Sequence, residues 1–278
     1  MPYATVDGLR VHYQMCGRGP SVLLVHGWAS SWRLWARTMS RLAQAGYQAW
    51  AVDLIGFGES DKPGDGWYTL ERFTRILVGF CDQLGLEAPA LIGHSMGGTI
   101  ALNLAPTVES VALVVAAPVI NGELSFSLHL LLTSPMARRM FSWMRKQAFF
   151  SMLGDMKLVA TPGLFRDPVR RRNHQDLRAT TVNAAVGSLR AVVSSNLEAH
   201  LTLLRAPTLI VVGERDTTVS AQQGWRAAQL IPGSKLVSWP ESGHHLIDDR
   251  GDEFDALVLQ HLDGANIRSK IGLERVQP

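Results

Sequence analysis

Ala90-Leu91-Ile92-Gly93-His94-Ser95-Met96-Gly97-Gly98-Thr99-Ile100-Ala101-Leu102 joins an apolar run to a helix-like run through a glycine-flanked serine. Ala90 to Ile92 reads as a buried strand and Thr99 to Leu104 as a helix, so Gly93-His94-Ser95-Met96-Gly97 falls on a strand-to-helix turn. Turning within so few residues forces the serine into a strained backbone conformation, and the glycines let the two chain segments pass without a Cβ clash. The Ser95 hydroxyl then stands above the end of a sheet, which makes it a nucleophile candidate. Glycine-serine turns without any chemical role share this spelling, so the remainder of the chain has to discriminate.

A serine hydroxyl is protonated at neutral pH, and nucleophilic work requires a base that is itself oriented by an acid. Downstream, Thr208 to Val212 reads as a short buried strand and Ser220 to Leu230 as a helix, which places Asp216 at a strand's carboxyl end. A strand-like Lys235 to Trp239 follows, and then Glu241-Ser242-Gly243-His244-His245. The order serine, aspartate, histidine is complete. Glu214 shares the loop of Asp216 and reads as a solvated charge; His245 competes with His244 but projects differently, one residue later.

These segments resemble the α/β-hydrolase superfamily, in particular its compact, capped branch of esterases, haloperoxidase-like enzymes and carbon-carbon hydrolases, over roughly residues 3 to 264. His26-Gly27-Trp28-Ala29 after the strand Val22 to Val25 is similar to the family's oxyanion loop, and Asp53-Leu54-Ile55-Gly56-Phe57-Gly58-Glu59-Ser60 to its Asp-x-x-Gly-x-Gly-x-Ser segment. The resemblance implies an α/β fold with a mostly parallel eight-stranded sheet, helices on both faces and an inserted helical cap. It implies Ser95 as nucleophile, His244 as base and Asp216 as acid, with the backbone N–H groups of Trp28 and Met96 as oxyanion donors. His26 is expected to shape its loop through backbone hydrogen bonds, and Asp248 and Asp249 to open the last helix, where negative charge suits the N-terminus.

A serine at this turn argues against the dehalogenases and epoxide hydrolases of the superfamily, which use aspartate there. The expected chemistry is acyl transfer to water through an acyl-enzyme, most simply hydrolysis of a carboxylic ester or acyl thioester. The same fold also carries carbon-carbon hydrolases of anionic substrates and slow-turnover small-molecule receptors; turnover rate separates an enzyme from a receptor.

The chain has 278 residues, 46% of them hydrophobic, enough to bury one large core. Strands are expected at Tyr3 to Val6 and Leu9 to Gln14 around the Asp7-Gly8 turn, and helices at Leu34 to Ala45 and Tyr68 to Leu84. Leu70, Phe73, Leu77 and Leu84 recur at helical spacing and should pack on the sheet. The strand Val111 to Ala116 is followed by a break at Pro118, and strand-helix alternation resumes at Pro207. Residues 1–118 and 206–278 are therefore expected to form the hydrolase core, and residues 119–205 the cap. Met136, Met140, Trp143 and Met144, with Phe141, Phe149 and Phe150 nearby, suggest either an apolar acyl-binding wall or the face that an amphipathic cap helix buries against its neighbours.

Charge separates the two parts more sharply than the net +3. Residues 119–205 hold 12 Lys/Arg against 5 Asp/Glu, whereas the rest holds 15 against 19. Arg138, Arg139, Arg145, Lys146, Arg166, Arg170, Arg171, Arg172 and Arg178 offer a basic surface to an anionic substrate, an acidic carrier protein or an anionic surface, unless they are a merely solvated helix face. No binding module for nucleic acid accompanies that charge.

The longest charge-free stretch of this region, Leu124 to Ala137, has 14 residues, short of the roughly 20 needed to cross a bilayer. Gly17-x-Gly19 and Gly56-x-Gly58 lack the third glycine of a dinucleotide loop, and metal-ligand spacings are missing, so neither cofactor nor metal is expected. Met1 to Arg10 lacks the pattern of a signal peptide, and two cysteines give no disulfide framework; a cytoplasmic location is the expectation.

Overall fold

A computed structural model of the chain describes residues 2–154 and 167–265, without the side chains of residue 145 and residues 147–154. Arg145, Phe149 and Phe150 as side chains, and Arg166 altogether, lie outside that description. The strands are β1 (Tyr3–Val6), β2 (Leu9–Gly17), β3 (Ser21–Val25), β4 (Gln48–Val52), β5 (Ala90–His94), β6 (Leu113–Ala116), β7 (Thr208–Gly213) and β8 (Lys235–Trp239). They form one sheet in the order β1-β2-β4-β3-β5-β6-β7-β8. β1 and β2 pair antiparallel, as do β2 and β4; every other neighbouring pair is parallel.

Helices α1 (Ala36–Gln44), α2 (Leu70–Leu84), α3 (Met96–Leu104), α9 (Ala221–Leu230), α10 (Leu246–Asp249) and α11 (Gly251–Gly264) accompany the sheet. Parallel strands covered on both faces must be apolar at successive positions. Leu23, Val25, Leu91, Leu113 and Val115 accordingly pack on one side with Phe73, Leu77, Phe80 and Ile100. Val22, Leu24, Ile92 and Val114 pack on the other with Met39, Leu42, Phe254 and Val258. The α2 stripe is therefore core, with Leu84 partly buried against it. Thr69 caps α2 through a bond to the Arg72 N–H, and Gly85 ends it at φ +65°, a left-handed conformation that glycine takes without a Cβ penalty.

The expected helix from Leu34 begins earlier and in two parts. Ser31 accepts the Arg33 N–H and opens a tight 3-10 turn, Trp32–Trp35, that continues into α1. Between β6 and β7 lie α4 (Phe126–Thr133), α5 (Pro135–Gly154), α6 (Pro168–Ala179), α7 (Val182–Val193) and α8 (Glu198–Leu201). Their own apolar cluster gathers Leu131, Phe141, Ala185, Val186 and Leu189. The two ends of this insertion are tied together, because the Leu197 N–H donates to the Ile120 carbonyl at 2.7 Å. Gln223 of α9 accepts the Ile120 N–H at 2.9 Å, fastening the entry to the sheet layer. Cys16 and Cys81 are both free.

Candidate active site

Ser95 sits between β5 and α3 at φ 52°, ψ −121°, a region that costs a non-glycine residue on the order of 1–3 kcal/mol. Close packing holds it there. A Cβ on Gly97 would come within 2.2 Å of the Val25 carbonyl oxygen, and one on Gly93 within 2.4 Å of the Gly97 oxygen. The Ser95 N–H donates to the Ala116 carbonyl at 2.8 Å, so the turn is also pinned to the end of β6. Ala29 and Ala117, at the ends of neighbouring strands, share the positive φ, at 51° and 47°.

The structure brings Ser95, His244 and Asp216 into one line. His244 Nε2 lies 3.0 Å from Ser95 Oγ, and His244 Nδ1 lies 2.7 Å from Asp216 Oδ2. Asp216 Oδ1 accepts the N–H groups of Thr218 at 2.7 Å and Val219 at 2.8 Å, leaving the carboxylate little freedom to rotate. With Nδ1–H donated to the carboxylate, Nε2 is the lone pair that faces the serine. The loops carrying acid and base are stitched together: the Arg215 N–H donates to the Ser242 carbonyl, and a Cβ on Gly213 would meet that same oxygen at 2.4 Å. Glu214 is exposed and accepts the Ser238 hydroxyl.

Met96 opens α3, where a helix's first N–H groups have no intrahelical acceptor. Among the described residues neither its N–H nor that of Trp28 bonds to another protein group. The two loops touch, since a Cβ on Gly27 would lie 3.3 Å from the Ser95 Cβ. His26 is fully buried and accepts the Leu54 N–H on Nε2 while its Nδ1–H donates to the Gly27 carbonyl. Burial lowers its pKa, against the Asp53 charge and the Gly27 bond, which favours this neutral tautomer. Asp53 is the hub behind the loop, with one oxygen accepting from His12 and the Glu59 N–H and the other accepting the Trp32 N–H. Burial pushes its carboxyl up, but those bonds and the His26 interaction outweigh it and the pKa is lowered. Gly58, at φ +47°, lies against that carboxylate where a side chain has no room.

His94 carries no signal in the sequence beyond its place beside Ser95. It is buried, its Nε2 lies 2.9 Å from the His244 carbonyl, and burial, then the nearby His244, holds its pKa well below the ordinary value. A neutral His94 therefore donates to the backbone of the loop that carries His244.

The inserted helices depart from expectation in two respects. Met136, Met140, Trp143 and Met144 face outward, exposed by 47% to 76%, and do not form an inner wall. The reason is helical geometry: α5 turns Phe141 inward onto Leu131, and the four others occupy a different face. Phe141 stacks at 5.7 Å from Trp28, whose indole N–H donates to the Ala185 carbonyl of α7 at 2.9 Å. Asp248 does not open the last helix either. With Asp249 it forms the second half of the short α10, and it receives both guanidinium nitrogens of Arg172, at 2.9 and 2.6 Å, while α11 starts after both with Asp252 and Glu253 in its first turn. Arg172 is thereby removed from the basic surface, and Arg138 turns to the Leu131 and Leu132 carbonyls.

The description "alpha/beta hydrolase fold" matches residues 20–251 as a family model. The chain belongs to that family. An uncharacterized protein of Mycobacterium tuberculosis is 28% identical over 281 residues, covering 95% of this chain and 81% of that protein. A bifunctional epoxide hydrolase 2 of Sus scrofa is 41% identical over 99 residues, 35% of this chain and 18% of that protein. The enol-lactonase of Burkholderia xenovorans superposes with a TM-score of 0.76 at 22% identity, covering 94% of this chain and 100% of that one. Among the described residues no group of three or more His, Cys, Asp and Glu side chains is arranged to hold a metal ion, and no helix is long and apolar enough to cross a membrane.

Proposed function

We propose that this family member is a serine hydrolase of carboxylic esters, working through an acyl-enzyme on Ser95. The observation that carries the reading is the hydrogen-bonded line Ser95–His244–Asp216 on a strained turn. In the first step Ser95 Oγ bonds to the ester carbonyl carbon while its proton passes to His244 Nε2, and Asp216 holds the resulting imidazolium. The tetrahedral oxyanion is received by the N–H groups of Trp28 and Met96. His244 then returns the proton to the departing alcohol as the carbon–oxygen bond breaks. Water repeats the sequence, losing a proton to His244 and releasing the acid, and Ser95 recovers its proton.

The inserted residues 119–205 act as a cap in this reading, with Trp28 and Phe141 as the apolar surface offered to the acyl group. The local similarity to epoxide hydrolase does not transfer that reaction, because an alkyl-enzyme ester needs a carboxylate where this chain has Ser95. An anionic substrate held by Arg172 is disfavoured by the Asp248 carboxylate that already takes up that guanidinium.

The test is hydrolysis of a chain-length series of nitrophenyl esters by the wild type and Ser95→Ala. The expected result is turnover with a length optimum that falls by at least about 10⁴-fold in the variant. Wild-type rates from Ser95→Ala would overturn the mechanism. Negligible wild-type turnover across the series, with a tight-binding small molecule found instead, would favour a receptor.

A further inference from the structure

Of the large hydrophobic side chains exposed among the described residues, Phe126, Leu130, Met136, Met140, Trp143 and Met144 all lie on α4 and α5. Both helices turn other residues inward: Leu131 and Phe141 join the cluster built on α7, so the greasy outer surface is not a by-product of an unpacked hairpin. Phe126 is 80% and Met136 76% exposed. Along α5, Met136, Met140, Trp143 and Met144 form one stripe at helical spacing, and Arg139 and Lys146, both exposed, run along one side of it. Residues 126–154 contain Arg138, Arg139, Arg145 and Lys146 and not a single Asp or Glu.

We propose that the outer face of the α4–α5 hairpin docks on an anionic lipid surface, with Met136, Met140 and Trp143 entering the boundary between headgroups and acyl chains. Arg139 and Lys146 then meet the headgroup phosphates. The arrangement is that of a helix lying in the interface plane, with apolar residues below and cations at headgroup level. An indole and flexible thioethers suit that depth. The charge distribution supports the same orientation, because residues 119–205 carry the basic excess and the rest of the chain an acidic one. An anionic bilayer attracts the hairpin and repels the body. Phe141, on another face of the same helix, touches Trp28, so a docked α5 holds the proposed ester site next to the lipid. The docking itself does not depend on the chemistry proposed for Ser95.

The experiment is co-sedimentation of the full chain with phosphatidylcholine vesicles, with and without phosphatidylglycerol, at low and high salt. Wild-type protein should pellet with the anionic vesicles and be released by salt. Arg139→Gln with Lys146→Gln should weaken partitioning about 30-fold, taking the usual contribution of each cation near such a surface. Met140→Ser with Trp143→Ser should weaken it on the order of tenfold or more, even at low salt. Circular dichroism melts of both pairs check that the fold is kept. Equal binding to neutral vesicles, or wild-type binding by both variants, overturns the proposal. So does a wild type that stays in the supernatant but cross-links through Arg139 and Lys146 to a purified acidic acyl carrier protein.

Discussion

Replacing Asp176 by Asn should stabilise the protein at neutral pH and leave it unchanged in acid. Asp176 sits on α6, 1% exposed, and its carboxylate forms no well-aligned hydrogen bond, the nearby Ser31 hydroxyl giving only weak compensation. Burial pushes its pKa from 3.8 up to about 6, with the Asp53 charge adding to the rise, while Ser31, Arg33 and Arg172 pull the other way. Because the carboxyl binds its proton more tightly in the folded chain than in the unfolded one, stability falls as pH rises from about 4 to about 6, and the whole penalty is present above that window. A shift of roughly two pH units corresponds to about 3 kcal/mol. Asn keeps the shape without the charge, so Asp176→Asn should gain up to about 3 kcal/mol at about pH 7, with the gain vanishing near pH 4. Urea unfolding of both proteins across that range measures it. A stability difference that does not change with pH would refute the reasoning, as would a variant less stable at pH 7. Since Asp176 and Arg172 lie on one face of α6 and Arg172 grips Asp248, the stored cost falls at the seam between the insertion and the loop of His244.

Asp216→Asn should leave the melting curve nearly unchanged and lower kcat by about 10⁴-fold on a nitrophenyl ester, because the amide no longer fixes the His244 tautomer; a loss under tenfold would sink the role of the acid. Gly97→Ala places a Cβ 2.2 and 2.4 Å from the Val25 and His26 carbonyl oxygens and should cost about 3 kcal/mol or more in thermal unfolding, since backbone on both sides has to move. A variant as stable as the wild type would show that the close approach is not required. Arg172→Ala strands an Asp248 that is 12% exposed, and should cost about 3 kcal/mol. Arg172→Lys should recover part of that loss, as an ammonium cannot reproduce the two-pronged contact; full recovery would argue against it.

Much of the fold is legible from local pattern. β8 runs over Lys235–Trp239 as the apolar spacing suggests, and α2 starts at Leu70, within two residues of the expectation, because Thr69 is its cap. β2 runs on to Gly17, beyond the expected Gln14, since its far end pairs with β4, a partner that no local window contains. The outward direction of the α5 stripe is illegible for a related reason. Met and Trp at helical spacing reveal a face, but the neighbours Leu131 and α7 decide which face turns in.

The chain by itself determined the alternation of strands and helices and the glycine-flanked turn at Ser95, because periodicity and φ/ψ demands are properties of adjacent residues. It also placed Asp216 and His244 after successive strands. Tertiary structure decided what those residues touch. The 3.0 Å approach of His244 to Ser95, the His94 bond to the His244 backbone and the Arg172–Asp248 pair join distant segments. Such contacts depend on how the sheet closes and how the insertion settles on it, and no spacing along the chain encodes a distance between loops that meet only when the whole core is packed.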